Sequence, residues 1–569
     1  MKRRIICFCI AIILLANYSP VLAVNSEYSD LTSDHWAAEY INKATELGII
    51  NGIGNGLFGI GQNVTRAQFT AMLVRLFNWE PVVPAAPSFA DNNDKGSWYY
   101  SAVETAVANG AVLTDTSSFR PNDSITRGDM AVMLVRALGY GNLTSRVAGY
   151  GVPFTDVTQN IGYITIAYNF GIINGMTETT FMPDGYATRE QAAAMMIRLY
   201  SKYNAQIDWL HAFYAISSFS QAGSISDLNS LSFGWSKLQY TFEDGVRLNT
   251  TSSDKNEFYI PAGYSSVVQV AQDGNVPTNL NIYMSTSQDV IKPDGTTSDA
   301  CREILLDSDN RVAAISQITS QLQNNSFLSG VTIDFEGMSG EDLKAGLTAF
   351  LKELRTAMDG MGKTVYVCVP PVISDGRYYN AYDYKAIGEY SDKVILMAHD
   401  YQATGMPPEQ MNAGFTTTPL TPINEVYYAL KAITDRNTGV QDTEKVALAI
   451  SFNTEQWKLQ DGKVINSMPY HPVTDSVYQR LIEPGTSINY SRLYENPYLT
   501  FYNSNDDTQN VLWYEDERSI ASKINLARMF GINGVSVWRL GLIPDYEDNA
   551  GRDINYNVLN LIMSENKIK

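Results

Sequence analysis

Two carboxylates stand two residues apart in the stretch 328–337, LSGVTIDFEG. Val331, Ile333 and Phe335 alternate with Thr332, Asp334 and Glu336, which is the side-chain period of a strand. Asp334 and Glu336 therefore share one face, with Cα atoms ~6–7 Å apart. Acids this close resist joint ionisation, and the proton they retain can serve general acid catalysis. A D-x-E pair can also simply end a strand in water, so the rest of the chain has to supply the site.

The elements that must position this pair follow one pattern. Short apolar runs at 210–216, 232–238, 280–284, 330–336, 364–369, 393–398, 446–451 and 534–538 alternate with helical stretches. The segments 309–324 and 341–359 carry helical apolar spacing, as in Leu347, Phe350, Leu351 and Leu354. Eight such strands predict an α/β fold, a (β/α)8 barrel with insertions, over residues 206–569. Residues 240–279 read as irregular. A barrel gathers its chemistry at the C-terminal ends of its strands. Glu336 ends the fourth strand, Asp400 and Tyr401 follow the sixth, Asn453 follows the seventh and Trp538 ends the eighth. All of them would face one mouth.

The 569 residues predict two to four units. With 45% hydrophobic and 18% charged residues, the chain reads as globular. A net charge of −19 argues against nucleic acid and against an anionic membrane surface as partners. Thirty-five Tyr and eight Trp are a rich supply of faces that suit sugar rings, although most of these rings belong in cores.

Residues 1–23 read as a secretory signal: Lys2, Arg3 and Arg4, an apolar run at 5–16, and small residues before a cut after Ala23. Cleavage removes those three cations and takes the charge from −19 to −22. It also removes Cys7 and Cys9, leaving Cys301 in a predicted helix and Cys368 in a predicted strand. That pair gives neither a disulfide framework nor metal-ligand spacing. His35, His211, His399 and His471 are too dispersed for a metal site. No phosphate-cradling Gly motif, nucleophile elbow or nucleotide fingerprint is present, so neither cofactor nor metal is expected. Past the signal, no run is long enough to span a bilayer.

The first third repeats itself. Thr-Arg pairs recur at Thr65, Thr126 and Thr188, 61 and 62 residues apart. Each is preceded by an aromatic-x-Asp-type start and followed by an apolar helix ending in Arg75, Arg136 or Arg198. The three segments, 28–79, 88–143 and 153–204, each read as helix, turn, loop and second helix. The Thr of each pair suits a helix N-cap. Each unit alone is small for a core, so the three are expected to pack together. Residues 80–87, EPVVPAAP, read as a stiff linker.

This triplet resembles the S-layer homology (SLH) domain. The resemblance implies a mainly α-helical triple repeat that binds secondary cell-wall polysaccharide. Arg66, Arg127 and Arg189 would contact an acidic glycan, with Trp36 and Trp98 as further binding residues. Guanidinium suits carboxylate recognition. The third unit departs from the pattern, with Gly162-Tyr163 where the others carry Trp. The second lacks the Gly-Ile-Ile-Asn turn.

The C-terminal part resembles family 18 glycoside hydrolases. Residues 329–336, SGVTIDFE, resemble the signature D-G-x-D-x-D-x-E. Met397-Ala-His-Asp400 is similar to the strand-six motif M-x-Y-D. The segment from Tyr514 through Lys523 to Trp538 and Gly541 resembles the last helix and strand. Within the family, D-F-E in place of D-W-E is nearest to bacterial enzymes acting on peptidoglycan. The resemblance implies substrate-assisted hydrolysis, in which the substrate's acetamido oxygen attacks the anomeric carbon and no enzyme nucleophile is needed. Glu336 would be general acid and base, with Asp334 orienting the acetamido group. Asp400 and Tyr401 would stabilise the intermediate, Trp538 would floor the sugar subsite and Met397 would line it. Tyr214 and Trp235 are further candidates for sugar stacking. Ser329, Thr332 and His399 depart from the pattern.

The reading is an exported, wall-bound glycosidase that cuts β-1,4 bonds next to N-acetylglucosamine, with peptidoglycan as the expected substrate. A chitinase acting on exogenous chitin and a non-catalytic glycan-binding surface protein stay open.

Overall fold

The computed structural model describes residues 28–373, 380–402 and 404–566. The expected signal segment lies outside the described residues. The chain divides into two compact units: one runs up to Ala108 and takes in Leu113–Arg127 and Gly185–Ile197, and the other holds Asn109–Val112, Gly128–Asp184 and Arg198–Lys569.

In the first unit, the three Thr-Arg segments meet through short β-bridges: Thr65 with Ser124, Asn63 with Thr188, and Thr126 with Tyr186. Each segment then enters a helix, at Arg66–Leu76, Arg127–Ala137 and Arg189–Tyr203. Thr65 caps the first of these by accepting from the Gln68 N–H, while the Gln68 side chain accepts from the Thr65 N–H. An Asp side chain closes the loop before each of these helices. Asp30 accepts from Phe58, Gly59 and Ile60 N–H groups, and Asp91 accepts from Phe119 and Arg120. Asp156 accepts in the same way from Phe181 and Met182, within the second unit. The aromatic-x-Asp start of each repeat is thus a loop clasp. Most of the third repeat clusters in the second unit, where Phe170 packs edge-on against Phe530 at 5.3 Å and tilted against Tyr427 at 6.2 Å, and Asn169 bonds the Tyr427 hydroxyl.

The second unit is built on a closed barrel of eight parallel strands. They are β1 (Trp209–Tyr214), β2 (Ser230–Thr241), β3 (Thr278–Ser285), β4 (Leu328–Glu336), β5 (Thr364–Val369), β6 (Lys393–Leu396), β7 (Val446–Ser451) and β8 (Gly534–Trp538). Each pairs with the next, and β8 closes on β1. The eight strands start and stop within four residues of the runs seen in the sequence. On β4, Val331, Ile333 and Phe335 are buried against the helical layer, where Phe335 meets Phe350 at 5.4 Å. Thr332, Asp334 and Glu336 take the inner face.

Two features were not legible in advance. Residues 240–279 are ordered: Gly245–Asn249 forms a hairpin with β2, and Ser265–Asp273 is a helix. Between β7 and β8, five antiparallel strands form a separate sheet, including Glu455–Gln460, Asn496–Asn503 and Thr508–Trp513. Their core is Leu499, Phe501, Leu512 and Tyr514 with Val477 and Leu481.

Candidate functional site

The inner face of the barrel is set by register. Asn281, Tyr283 and Ser285 of β3 lie level with Thr332, Asp334 and Glu336 of β4, so all six point inward. Low in the barrel, His211 lies between Ser536 and Ser232, each 2.8 Å away, and Ser232 is 2.6 Å from the Thr332 hydroxyl. Burial pulls the His211 imidazole down to about 3, so this layer is uncharged. Thr332 thus spends its hydroxyl on the layer below, and Asp334 takes its bond from the Asn281 amide, at 3.3 Å.

Above this layer opens a cavity of about 140 Å³. Asp334, Glu336, His399 and Asp400 line it together with Phe213, Met397 and Trp538, over an apolar base of Cys368, Ile395 and Ala449. Trp538 is half-buried and meets Phe213 at 5.1 Å and 65°. Residues from the ends of β4, β6 and β8 therefore do share one mouth.

The electrostatics separate the acids. Burial raises the Asp334 carboxyl to about 6, against bonds from Asn281 and Cys368 that favour the anion. Burial also raises Glu336, to about 7, and the neighbouring Asp334 adds to the effect. Asp400 goes the other way. Burial alone would raise it, but His399, with Nδ1 2.9 Å from its carboxylate, and bonds from Asn453 and Ser451 hold it below the ordinary range. The pocket thus holds, near neutrality, one acid that retains its proton and one that is anionic.

Not every expected residue reaches the pocket. Tyr214 and Trp235 are 4% and 1% exposed, and they pack with Phe233, which stacks on Trp235 at 3.8 Å. They belong to the outward parity of β1 and β2, so the stacking role expected for them is corrected: Phe213, one residue earlier, faces the cavity. Tyr401 is not among the lining side chains; its backbone N–H donates to Leu420 O. His399 stands in the pocket instead. Tyr283, level with Asp334 across the β3–β4 register, was not singled out, because pairing between distant strands leaves no local pattern; burial and the Glu336 charge raise its hydroxyl.

The repeat residues divide by exposure. Trp36 and Trp98 are 55% and 62% exposed. Arg127 and Arg189 are buried. Arg189 donates to Phe58 O and Asn51 O at 2.9 and 2.6 Å and lies over the Phe58 ring. Arg66 repeats this with Phe119 O at 2.9 Å and the Phe119 ring. These guanidiniums bond the loops that the Asp residues clasp. Replacing Arg189 with Ala is therefore expected to cost about 2 kcal/mol, since the buried Phe58 carbonyl loses a charged donor and Asn51 loses a second bond. Thermal unfolding checks this. An unchanged melting temperature with lost wall-polymer binding would make Arg189 a ligand contact instead.

Comparison with known proteins agrees with both halves. Residues 295–542 match the model of the glycosyl hydrolases family 18. Residues 27–70, 88–131 and 153–193 match the S-layer homology domain. An exoglucanase, XynX, of Acetivibrio thermocellus is 33% identical over 201 residues, 34% of this chain and 18% of that protein. The cortical fragment-lytic enzyme of Bacillus anthracis is 27% identical over 216 residues, 37% of this chain and 46% of that protein. The solved Bacillus cereus spore cortex-lytic enzyme SleL is 20% identical, covering 71% of this chain and 84% of its own, with a TM-score of 0.48. The chain spans less than half the length of these two curated relatives.

Proposed function

We propose, for a chain that carries three S-layer homology repeats followed by a family 18 glycosyl hydrolase domain, the function of a wall-bound glycosidase. It is exported and cuts β-1,4 bonds next to N-acetylglucosamine in peptidoglycan. The observation that carries this reading is the state of Glu336: a carboxyl raised to about 7, opening into a cavity beside Asp334 and Trp538.

The chemistry follows from those groups. The sugar lies against Trp538 with its acetamido group toward Asp334 and Asp400. The acetamido oxygen attacks the anomeric carbon while Glu336 gives its proton to the leaving oxygen. The cationic oxazolinium ring forms between two anions, the ionised Asp334 and Asp400. Water then adds at the anomeric carbon, Glu336 takes its proton, the ring reopens and configuration is retained. Side chains, substrate and one water supply every group in these steps.

The repeats supply location. Binding secondary cell-wall polysaccharide holds the barrel against its polymer and raises the local substrate concentration. That proximity favours peptidoglycan over chitin. Trp36 and Trp98 present exposed indole faces suited to sugar rings. Replacing both with Ala is expected to weaken binding to purified wall polymer at least tenfold, with the melting temperature unchanged. Retained binding would move the contact elsewhere.

Mass spectrometry of products from purified walls and from chitin oligomers tests the whole reading. Reducing-end N-acetylglucosamine from walls is expected. Reducing-end muramic acid would mean the opposite bond is cut, and products from chitin alone would shift the substrate.

A further inference from the structure

Asp400 has φ 59°, in the left-handed region that Asp visits more readily than most non-glycine residues, and hydrogen bonds around it constrain it there. Part of that constraint lies outside the pocket. The Tyr401 N–H, next in the chain, donates to Leu420 O at 2.9 Å. The N–H groups of Leu420 and Thr421 both donate to Asn496 Oδ1, at 2.8 and 3.4 Å. Asn496 Nδ2 donates to Tyr514 O and Glu515 Oε1, at 3.0 and 3.1 Å. Glu515 Oε2 accepts from Lys523 Nζ at 2.7 Å and from Ser519 Oγ at 2.6 Å.

Every side chain in this path is buried; Asn496 and Ser519 are fully inaccessible. The amide of Asn496 has two donors at its oxygen and two acceptors at its nitrogen, so its orientation is fixed. A buried Glu–Lys pair alone would be ordinary packing. Here it holds one end of Asn496, and the other end holds the segment that the backbone after Asp400 leans on. Asn496 also begins the strand Asn496–Asn503 of the sheet inserted between β7 and β8.

We propose that Asn496, held by the Glu515–Lys523 pair, is a positioning residue that fixes the loop after β6 and so keeps the Asp400 carboxylate in the pocket. The inserted sheet thereby acts on the barrel's chemistry as well as on its outline. The inference rests on Asp400 facing the substrate, as in the function proposed above.

The test compares Asn496→Ala with Leu512→Ala in the full chain. Leu512 is buried in the same inserted sheet but takes no part in this path. In Asn496→Ala, amide exchange of the peptide carrying Tyr401 is expected to quicken at least tenfold. On wall glycan, kcat is expected to fall at least tenfold with KM within twofold. The alkaline limb of kcat/KM should move to lower pH, because Asp400 no longer raises Glu336. Leu512→Ala should leave exchange at Tyr401 and the pH limb unchanged. Exchange and pH limb at wild-type values in Asn496→Ala, or the same changes in both variants, would overturn the proposal. Should Asn496→Ala not fold, Ser519→Ala removes one support of Glu515 and is read by the same exchange, with a threefold change as threshold. If the wild type cleaves no glycan, the proposed function fails, and the exchange comparison still decides the clamp.

Discussion

Glu336→Gln lowers kcat on purified walls by about 10²–10⁴, the usual worth of a positioned general acid and base. The amide keeps the shape of the side chain and its place at the end of β4, but it has no proton to give. The same variant is expected to be more stable than the wild type above pH 7. The sign follows from the raised carboxyl. Its folded value is about 7, against an ordinary 4.5. Below 4.5 both states hold the proton and the group contributes nothing. Between 4.5 and 7 the folded state holds a proton that the unfolded state has lost, so stability falls as pH rises. Above 7 the full cost of a buried anion is present, on the order of 1–3 kcal/mol. Gln carries no such cost. The difference in melting temperature between variant and wild type should therefore be positive at pH 8 and vanish near pH 4. A variant that clears walls as fast as the wild type would remove Glu336 from the reaction. A difference in melting temperature independent of pH would remove the raised carboxyl.

Asp334→Asn has the second largest effect. Asp334 is one of two anions that would face the oxazolinium, and after burial its charge does most to raise the Glu336 carboxyl. Losing it should lower kcat on the order of 10²-fold through the lost electrostatic support. It should also move the alkaline limb of kcat/KM to lower pH by about one unit, since a neutral neighbour no longer opposes ionisation of Glu336. The wild-type limb is expected near pH 7, because Glu336 must be protonated to act. The pH–rate profile of both proteins checks the pair. A limb that stays put in the variant would mean the two carboxyls do not sense each other.

Much of this arrangement could be read from sequence because it rests on parity. On β4, alternation puts Asp334 and Glu336 on one face, and the structure has them on the inner one. At β1 the same rule puts Phe213 on the face of His211 and Tyr214 on the other. Tyr214, a stacking candidate by residue type alone, packs against Phe233, and Phe213 lines the cavity. Trp235 stacks on Phe233 away from the cavity, while Ser232 of β2 meets His211 on the inner face. What parity could not supply is pairing between distant segments. The register that brings Tyr283 level with Asp334 is set by neighbouring strands, and no local pattern records it. The inserted sheet was missed for a related reason. Its strands carry polar residues such as Asn489 and Asn510 within short alternations, and its core forms only when Leu499, Leu512 and Val477 meet. In the repeats, the Thr-Arg spacing located each second helix, and Thr65 caps the first of them. The spacing was silent on burial, which places Arg189 under a loop and leaves Trp36 in the open.

The most direct test of substrate assistance with Glu336 as proton donor is the anomeric form of the first product. Proton NMR, recorded within minutes of mixing enzyme and wall glycan, reads it before mutarotation. Attack by the acetamido oxygen followed by water predicts the β-anomer at the new reducing end. An initial α-anomer would mean a single displacement by water, and the roles given to Glu336, Asp334 and the acetamido group would not stand.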